Sequence, residues 1–589
     1  MGLPGDGRML TAPRSRPVTG RRADALAALG YLIAAVLLFR PLWTNLGHGY
    51  LTNSGQDQNM WEWFFSVTAH AVAGLENPLS SGLQNHPAGV NLMANTAMLG
   101  LGVPLTPVTL VFGPAVTWAL VLTGGLAGSA FAWYHLLSRR LVGSRAAAAL
   151  GGACCAFAPP IISHANAHPN FVALFVLPFI IGRFLDLVRG ARPVRDGVLL
   201  GLLVTYQVFL GEEPLVITAL GLLVFAVTYA LSRPSEVPAM LRPLATGLGV
   251  AAVTSLALLI FPLWWQFFGP QSYHSLEHGP QGNDAAAFTA FASDSLAGDA
   301  ESARGLAMNR TEENAFFGWP LVLLLTAISA WLWRRAVARA LAVTLFVLAL
   351  ISMGSPLTVA GHETGIPGPW RLLAGLPLLE SVLESRFALG CAPVAGLLLA
   401  LATDRVLTAA TVAEWRGAAR VIWSAVLLFA LVPIVPVELA ARERAPAPAF
   451  FALDLWRDHV RPGRSVLMVP PPDTGDAEPL HWQVLAGLGF PLAEGYFVGP
   501  GGKDRAGQYG AVRRPTSNLL ERVANTGRVP PANPIDQLIA ENDLRFWQAD
   551  VVVLAPQQRR ATELKQTVEQ LLGGPGTVVG GVWLWDVRR

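Results

Sequence analysis

Apolar runs of membrane-crossing length recur between residues 24 and 438 and constrain this chain more than any other feature. Crossing about 30 Å of hydrocarbon takes roughly 20 helical residues at 1.5 Å apiece. Hydrophobic residues make up 52% of the chain and charged residues 14%, where ordinary soluble domains carry about 25% charge. A polytopic membrane protein follows. Whole-chain readings as a secreted enzyme, a nucleic-acid binder or a disordered scaffold are excluded. The net charge of +3 decides little, because the placement of charge, not its sum, orients a membrane chain.

Spans are expected at 24–44, 115–137, 146–161, 171–188, 197–210, 214–231, 244–266, 317–333, 340–353, 386–403 and 421–438. The block 97–113 is broken by Pro104 and Pro107 and reads as a re-entrant or interfacial piece. On that reading, loops 138–145, 189–196, 232–243, 334–339 and 404–420 carry 14 Arg against 4 acids. The opposite loops, 45–96, 162–170, 211–213, 267–316 and 354–385, carry 3 Arg against 15 acids. Were 97–113 a full span, every later loop would change sides and the bias would point outward. The pattern predicts a mainly α, polytopic helical bundle of about eleven spans, N-terminus inside and C-terminus outside. Residues 1–23, with five Arg by residue 22, read as a basic cytoplasmic tail before a retained first helix.

Beyond the membrane body 24–438, the segment 439–589 changes character. It opens on the Pro/Ala-rich stretch ERAPAPAF and continues with short β-like runs at Ser465–Val469, Val551–Leu554, Thr577–Val579 and Val582–Val587. A charged helical stretch, Ala561–Leu572, lies between them. This predicts a C-terminal extracytoplasmic α/β domain.

Known signatures are few. Cys154, Cys155 and Cys391 fall in apolar segments without metal-type spacing and read as core residues. No GxxxxGK[ST] and no GxGxxG between a strand and a helix occurs, which argues against nucleotide use, and neither GxSxG nor HExxH is present. All histidines except His135 fall on the expected outer side, where the acids also gather. Ionisable groups at helix ends near membrane depth need water or partners, so a wet cavity open to the outside is expected.

The first outer loop, 45–114, is expected to carry interfacial helices and is the richest candidate. It contains Gly55-Gln56-Asp57-Gln58-Asn59-Met60-Trp61-Glu62-Trp63-Phe64-Phe65. Asp57 stands at the expected start of an amphipathic helix, either as its N-cap or as a general base or metal ligand at the lip of the membrane. Glu62, five residues on, does not share its helical face and is a secondary substrate-binding candidate. The turn-rich stretch His86-Pro87-Ala88-Gly89-Val90-Asn91-Leu92 adds His86.

One long loop after the first span, an Asp near its start, interfacial helices and a many-span body resemble the GT-C glycosyltransferase superfamily. The GQDQNMWEWFF…NPLSSGLQNHPAGVNL run is also similar to uncharacterised actinobacterial membrane proteins assigned to that superfamily. The resemblance covers roughly 24–440. It implies a plasma (inner) membrane glycosyltransferase, hexosyl- or pentosyl-transferring, with its active face extracytoplasmic and Asp57 as base. It further implies a polyprenyl-phosphate sugar donor, a glycan or lipid acceptor and contact with membrane lipid, without nucleotide or nucleic acid. Many members have paired acids where this chain has Asp57-Gln58, so a divalent cation, Mg or Mn, stays open as a cofactor.

Further outer-side residues fit that frame. His164 and His168 stand at i,i+4 in Ser163-His164-Ala165-Asn166-Ala167-His168-Pro169 and could bind a metal, phosphate or sugar, although the flanking prolines argue for a turn. Gln207 lies inside an apolar helix, ahead of the adjacent carboxylates Glu212 and Glu213. Glu312-Glu313-Asn314 repeats the arrangement, and a pair drawn from these four glutamates, Glu212 and Glu213 first, could hold a divalent ion. Arg386, at the outer end of a span, could clamp a phosphate or pair with Glu384. Aromatics beside glycine loops in the C-terminal segment, among them Trp482, Tyr496 and Phe497, could stack on sugar rings. Two other classes share these features: a transporter or flippase of lipid-linked sugars, and a non-catalytic envelope assembly protein.

Overall fold

The computed structural model describes residues 20–377, 379–409 and 413–588. Most of the expected N-terminal tail, residues 1–19, lies outside them. Among the described residues a helix stands in each segment expected to span: Gly20–Leu38, Pro114–Leu136, Arg145–Ala156, Leu177–Arg189, Pro193–Val208, Glu213–Ser232, Val237–Phe268, Trp319–Leu332, Ala336–Ser352, Cys391–Ala409 and Ala413–Leu431. Proline sets several boundaries. The third helix stops at Ala156 because Pro159 and Pro160 open a separate short helix, Pro159–His164. The seventh overruns its expected 244–266, continuing through Pro243 and Pro262.

Among the described residues, five helical stretches are long and apolar enough to cross a membrane by length and composition. Two of them, Pro114–Leu141 and Glu384–Thr408, have 67% and 78% of their apolar windows buried and form the centre of the bundle. The other three, Glu213–Ser232, Pro234–Phe268 and Gly417–Ile434, are only 6%, 17% and 11% buried. Their outward leucines, valines and aromatics, such as Val253, Ile260 and Phe261, are what a bilayer covers in a multi-pass membrane protein. Small residues let helix backbones approach. A Cβ on Gly151 would stand 2.8 Å from the Ala400 side chain, and one on Gly197 would stand 2.5 Å from the Gly247 carbonyl.

The block 97–113 forms two short helices, Leu99–Gly102 and Thr106–Phe112, with Leu110, Val111 and Phe112 exposed. The helix that follows in the expectation, Gly55–Ala73, departs from it. Rather than lying amphipathic at the interface, it is buried on nearly every side, with Trp63, Phe64 and Phe65 fully enclosed. The C-terminal part covers it: Trp63 Nε1 donates to Gln483 Oε1 at 2.6 Å, on the helix Glu478–Leu485.

That C-terminal part is built on a four-stranded mixed sheet in the order Thr577–Val579, Val582–Asp586, Ala549–Leu554, Ser465–Val469. The first two pairings are antiparallel and the last is parallel, with Val553 opposite Met468. The buried strands read VVVL and SVLMV, the continuous apolar runs expected of strands covered on both faces. Helices Pro515–Thr526, Pro534–Phe546 and Ala561–Leu572 flank the sheet. A second clamp ties the first outer loop to the chain after the last membrane helix, where Gly49–Leu51 pairs antiparallel with Ala441–Glu443. One hydrophobic cluster therefore runs from the bundle through the Gly55–Ala73 helix into the sheet.

Candidate active site

Four separate segments meet at one polar cluster. Asp57 comes from the first turn of Gly55–Ala73, His164 and His168 from the end of Pro159–His164 and the turn after it, and Glu312 and Asn314 from the loop before Trp319. Arg386 comes from the short helix Glu384–Gly390. Phe171 supports the cluster from behind: its ring lies 4.7 Å from His164 and 4.9 Å from the Arg386 guanidinium. Sequence spacing gave no access to this convergence, because even Glu312 and Arg386, from neighbouring contributing segments, are 74 residues apart.

Hydrogen bonds settle how the histidines stand. Asn314 Nδ2 donates to Glu312 Oε2 at 2.9 Å and to Ser385 Oγ at 3.1 Å, so its Oδ1 is the atom 2.7 Å from His164 Nε2. His164 therefore carries its proton on Nε2, and its Nδ1 accepts from His168 Nδ1 at 2.8 Å. Burial pushes both imidazoles down to about 4, which keeps them neutral at physiological pH. Glu312 faces them at 3.7 Å. Burial alone would raise its carboxyl, yet Arg386, His164 and His168 together hold it well below the usual range.

Arg386 is engaged rather than free. Its Nε lies 3.1 Å from Glu312 Oε1, its Nη2 closes a second contact to the same carboxylate, and its Nη1 donates to Glu213 Oε2 at 2.8 Å. Two of its five N–H groups are left for other acceptors. Asp57 is 9% exposed. Its Oδ1 accepts from the Tyr496 hydroxyl at 2.9 Å, with Gln56 Nε2 at 3.5 Å from Oδ2, and it makes no capping bond to the helix backbone. Burial pushes the Asp57 carboxyl up, against the lowering pull of His168, the Tyr496 hydroxyl and Arg386. The cluster opens on one side, where His168, Arg386 and Glu213 keep 19%, 18% and 20% of their side chains exposed.

The donor set of two neutral imidazoles and a carboxylate, with ligand atoms within 4.8 Å of one another, fits a divalent ion. Charge points the same way: one guanidinium faces two buried carboxylates, Asp57 and Glu312, and the partly exposed Glu213, an imbalance that protonation or a cation must offset.

The other expected residues sit elsewhere. Glu212 and Glu213 do not form a metal pair, since Glu212 accepts from Gln266 Nε2 at 2.8 Å while Glu213 turns to Arg386. Adjacent residues at a helix start face different ways, so only one reaches the cavity. Glu62 is not at the site either. It is 2% exposed and ion-paired with Arg444, whose Nη1 also lies 2.6 Å from His481 Nδ1, a buried tie between the first loop and the C-terminal part. His86 lies 3.3 Å from Gln548 in that same junction, and Gln207 Nε2 donates to the Gly211 carbonyl at 3.0 Å. Glu313 accepts from Ser293, and Glu384 from the Gln281 backbone, each tying down a loop.

Directly against the cluster, between the helices, lies an apolar cavity. Ile161, Phe171, Pro214, Ile217 and Leu389 are among its lining residues, and the Phe171 ring is shared with the cluster through His164 and Arg386. Trp133, Phe225 and Leu341 continue it along the bundle.

No family model matches the chain, and no curated protein matches it. Among solved structures it is similar to the mycobacterial arabinofuranosyltransferase AftD, with 17% identity over 99% of this chain and a TM-score of 0.53. The chain spans 40% of the length of that protein. It is also similar to the Archaeoglobus fulgidus oligosaccharyltransferase AglB, with 12% identity, 92% of this chain and 70% of that one covered, and a TM-score of 0.49. At these identities the likeness to AftD is one of overall fold.

Proposed function

We propose that the protein is a membrane glycosyltransferase that moves a sugar from a polyprenyl-phosphate carrier to a glycan or lipid acceptor on the outer face of the plasma membrane. The observation that carries this reading is an apolar cavity that shares its Phe171 wall with the polar cluster of Asp57, His164, His168, Glu312 and Arg386. A carrier lipid needs both at once: a hydrocarbon-lined slot for the chain and a charged site for the phosphate. The architecture shared with an arabinofuranosyltransferase supports it, and Asp57 bonded to Tyr496 rather than to its own helix N-terminus disfavours the reading of Asp57 as a mere cap.

In the proposed reaction the acceptor hydroxyl attacks the anomeric carbon, the bond from that carbon to the phosphate oxygen breaks, and the configuration inverts. Polyprenyl phosphate leaves with the electron pair, and the hydroxyl proton passes to the Asp57 carboxylate. Burial of Asp57 supports this role by making the carboxylate a better proton acceptor than an exposed one. Arg386 neutralises Glu312 and Glu213 and offers its two remaining N–H groups toward the phosphate. A divalent ion held by His164, His168 and Glu312 would supply positive charge against the leaving phosphate, and two imidazoles suit Mn or Zn better than Mg.

The test is transfer by the purified full chain in nanodiscs, given polyprenyl-phosphate sugars extracted from the host's own membranes. Wild type is expected to release polyprenyl phosphate in an acceptor-dependent manner. Glu312→Gln is expected to lose bound metal by elemental analysis and to cut transfer at least a hundredfold. Release that Glu312→Gln leaves unchanged would overturn the assignment of this cluster, and carrier movement across the bilayer without sugar transfer would favour the flippase.

A further inference from the structure

Two tyrosines from the C-terminal part reach the cluster, and neither is among the residues that line the apolar cavity. Tyr496 sits four-hundred-odd positions from Asp57 in sequence and donates to it at 2.9 Å. Tyr509 ends the hairpin Val498–Gly501 and Ala506–Tyr509. Its ring stacks beside that of Tyr496, with centroids 6.5 Å apart and planes at 30°. His278 closes the other flank, 6.5 Å from the Tyr509 ring. The hairpin is fixed in this position: Gly507 N donates to the Ser275 carbonyl at 2.6 Å, His274 N to the Arg505 carbonyl at 3.0 Å, and Arg505 to the Ser272 carbonyl at 2.7 Å. A side chain at 507 would meet Tyr273 at 2.9 Å, so glycine permits the close docking.

Tyr496 is 6% exposed and Tyr509 is 50% exposed. Tyr509 nevertheless lies close enough to Arg386, Asp57, Glu312 and Glu213 for their charges to act on its hydroxyl. The pair thus sets one enclosed tyrosine against Asp57 and one open ring beside that tyrosine.

We propose that this Tyr496–Tyr509 pair is the acceptor side of the site, that the open Tyr509 ring stacks on a sugar ring of a glycan acceptor, and that Tyr496 is a positioning residue holding Asp57 toward the reacting hydroxyl. The inference rests on the transferase reading and adds to it the acceptor class: a carbohydrate rather than a membrane lipid. An aromatic face with a polar edge suits the C–H face and hydroxyls of a sugar ring. A lipid acceptor would instead bring a hydrocarbon chain, which suits the apolar cavity and not an open tyrosine ring. The charges of His168, Glu312 and Arg386 act on Asp57, and Tyr496 supplies its one hydroxyl donor among the described contacts. With Oδ1 held by Tyr496, Oδ2 remains for the acceptor proton.

The experiment is steady-state transfer by the full chain in nanodiscs, with the host's extracted lipid-linked sugars as donor and oligosaccharides released from its cell wall as acceptor. Tyr509→Ala is expected to raise the acceptor KM about tenfold with kcat within about twofold, while Tyr509→Phe and Tyr509→Trp retain the wild-type KM. Tyr496→Phe is expected to lower kcat about tenfold without changing the acceptor KM. An unchanged KM in Tyr509→Ala, with wild type active on the oligosaccharides, would overturn the platform while leaving the transferase reading intact. Wild-type transfer to lipid alone would overturn the acceptor class. Absence of transfer from any donor fraction would overturn both readings together.

Discussion

In the proposed reaction Asp57 serves as base because of what surrounds it rather than because of its own helix. An aspartate at the first turn of a helix ordinarily serves the backbone; here the carboxylate is enclosed, bonded to a tyrosine from the C-terminal part and facing His168, Glu312 and Arg386. Its carboxyl is raised above the ordinary aspartate value by burial, and a base works only when deprotonated. Transfer is therefore expected to fall on the acid side with a midpoint above that of an exposed aspartate, and Asp57→Glu is expected to move that limb. A pH–rate profile of the nanodisc reaction checks it; an acid limb at the ordinary aspartate value would contradict Asp57 as base. Asp57 and the i,i+4 pair His164/His168 were legible in the sequence because they are polar residues placed where an apolar chain needs a reason to keep them. Glu62 was misplaced for a related reason: a buried carboxylate paired with Arg444 looks, in sequence, the same as one facing a cavity. Tyr509 and Phe171 left no signal, since an aromatic residue near a turn is far more often packing.

Among the secondary elements, the helices were legible and the strand runs nearly so, because hydrophobic length and periodicity report them directly. The Gly55–Ala73 helix was not, since its burial depends on the distant Glu478–Leu485 helix that covers it. The same C-terminal part offers a stability test with a defined sign. Glu494, bonded to the Ser517 hydroxyl, has its carboxyl pushed up to about 7, chiefly by burial. A carboxyl raised in the folded state contributes stability that is present below its unfolded value and lost as pH rises through about 7. Glu494→Gln, which keeps an acceptor for Ser517, is thus expected to raise Tm relative to wild type at pH about 8 and to change it little at pH about 4.5. Thermal unfolding followed by tryptophan fluorescence in detergent measures both. A variant less stable than wild type at the higher pH would contradict the assignment.

The bundle, the first outer loop and the C-terminal part act as one unit, clamped by the Gly49–Leu51 and Ala441–Glu443 strands, the Glu62–Arg444 pair and the Tyr496–Asp57 bond. In the proposed topology the charge asymmetry of the loops places the cluster outside. Lys503 and Arg334 are both exposed and lie on opposite predicted sides. Lys503→Cys is expected to react with a membrane-impermeant maleimide in intact cells, and Arg334→Cys only after permeabilisation; the reverse pattern would invert the topology. The most direct test of the whole account is complementation of a deletion strain with wild type or Asp57→Asn at matched membrane levels, followed by mass spectrometry of envelope glycans and polyprenyl-phosphate sugars. The account predicts that deletion removes a glycan and accumulates its lipid-linked donor, and that wild type alone restores the balance. Full restoration by Asp57→Asn would contradict it.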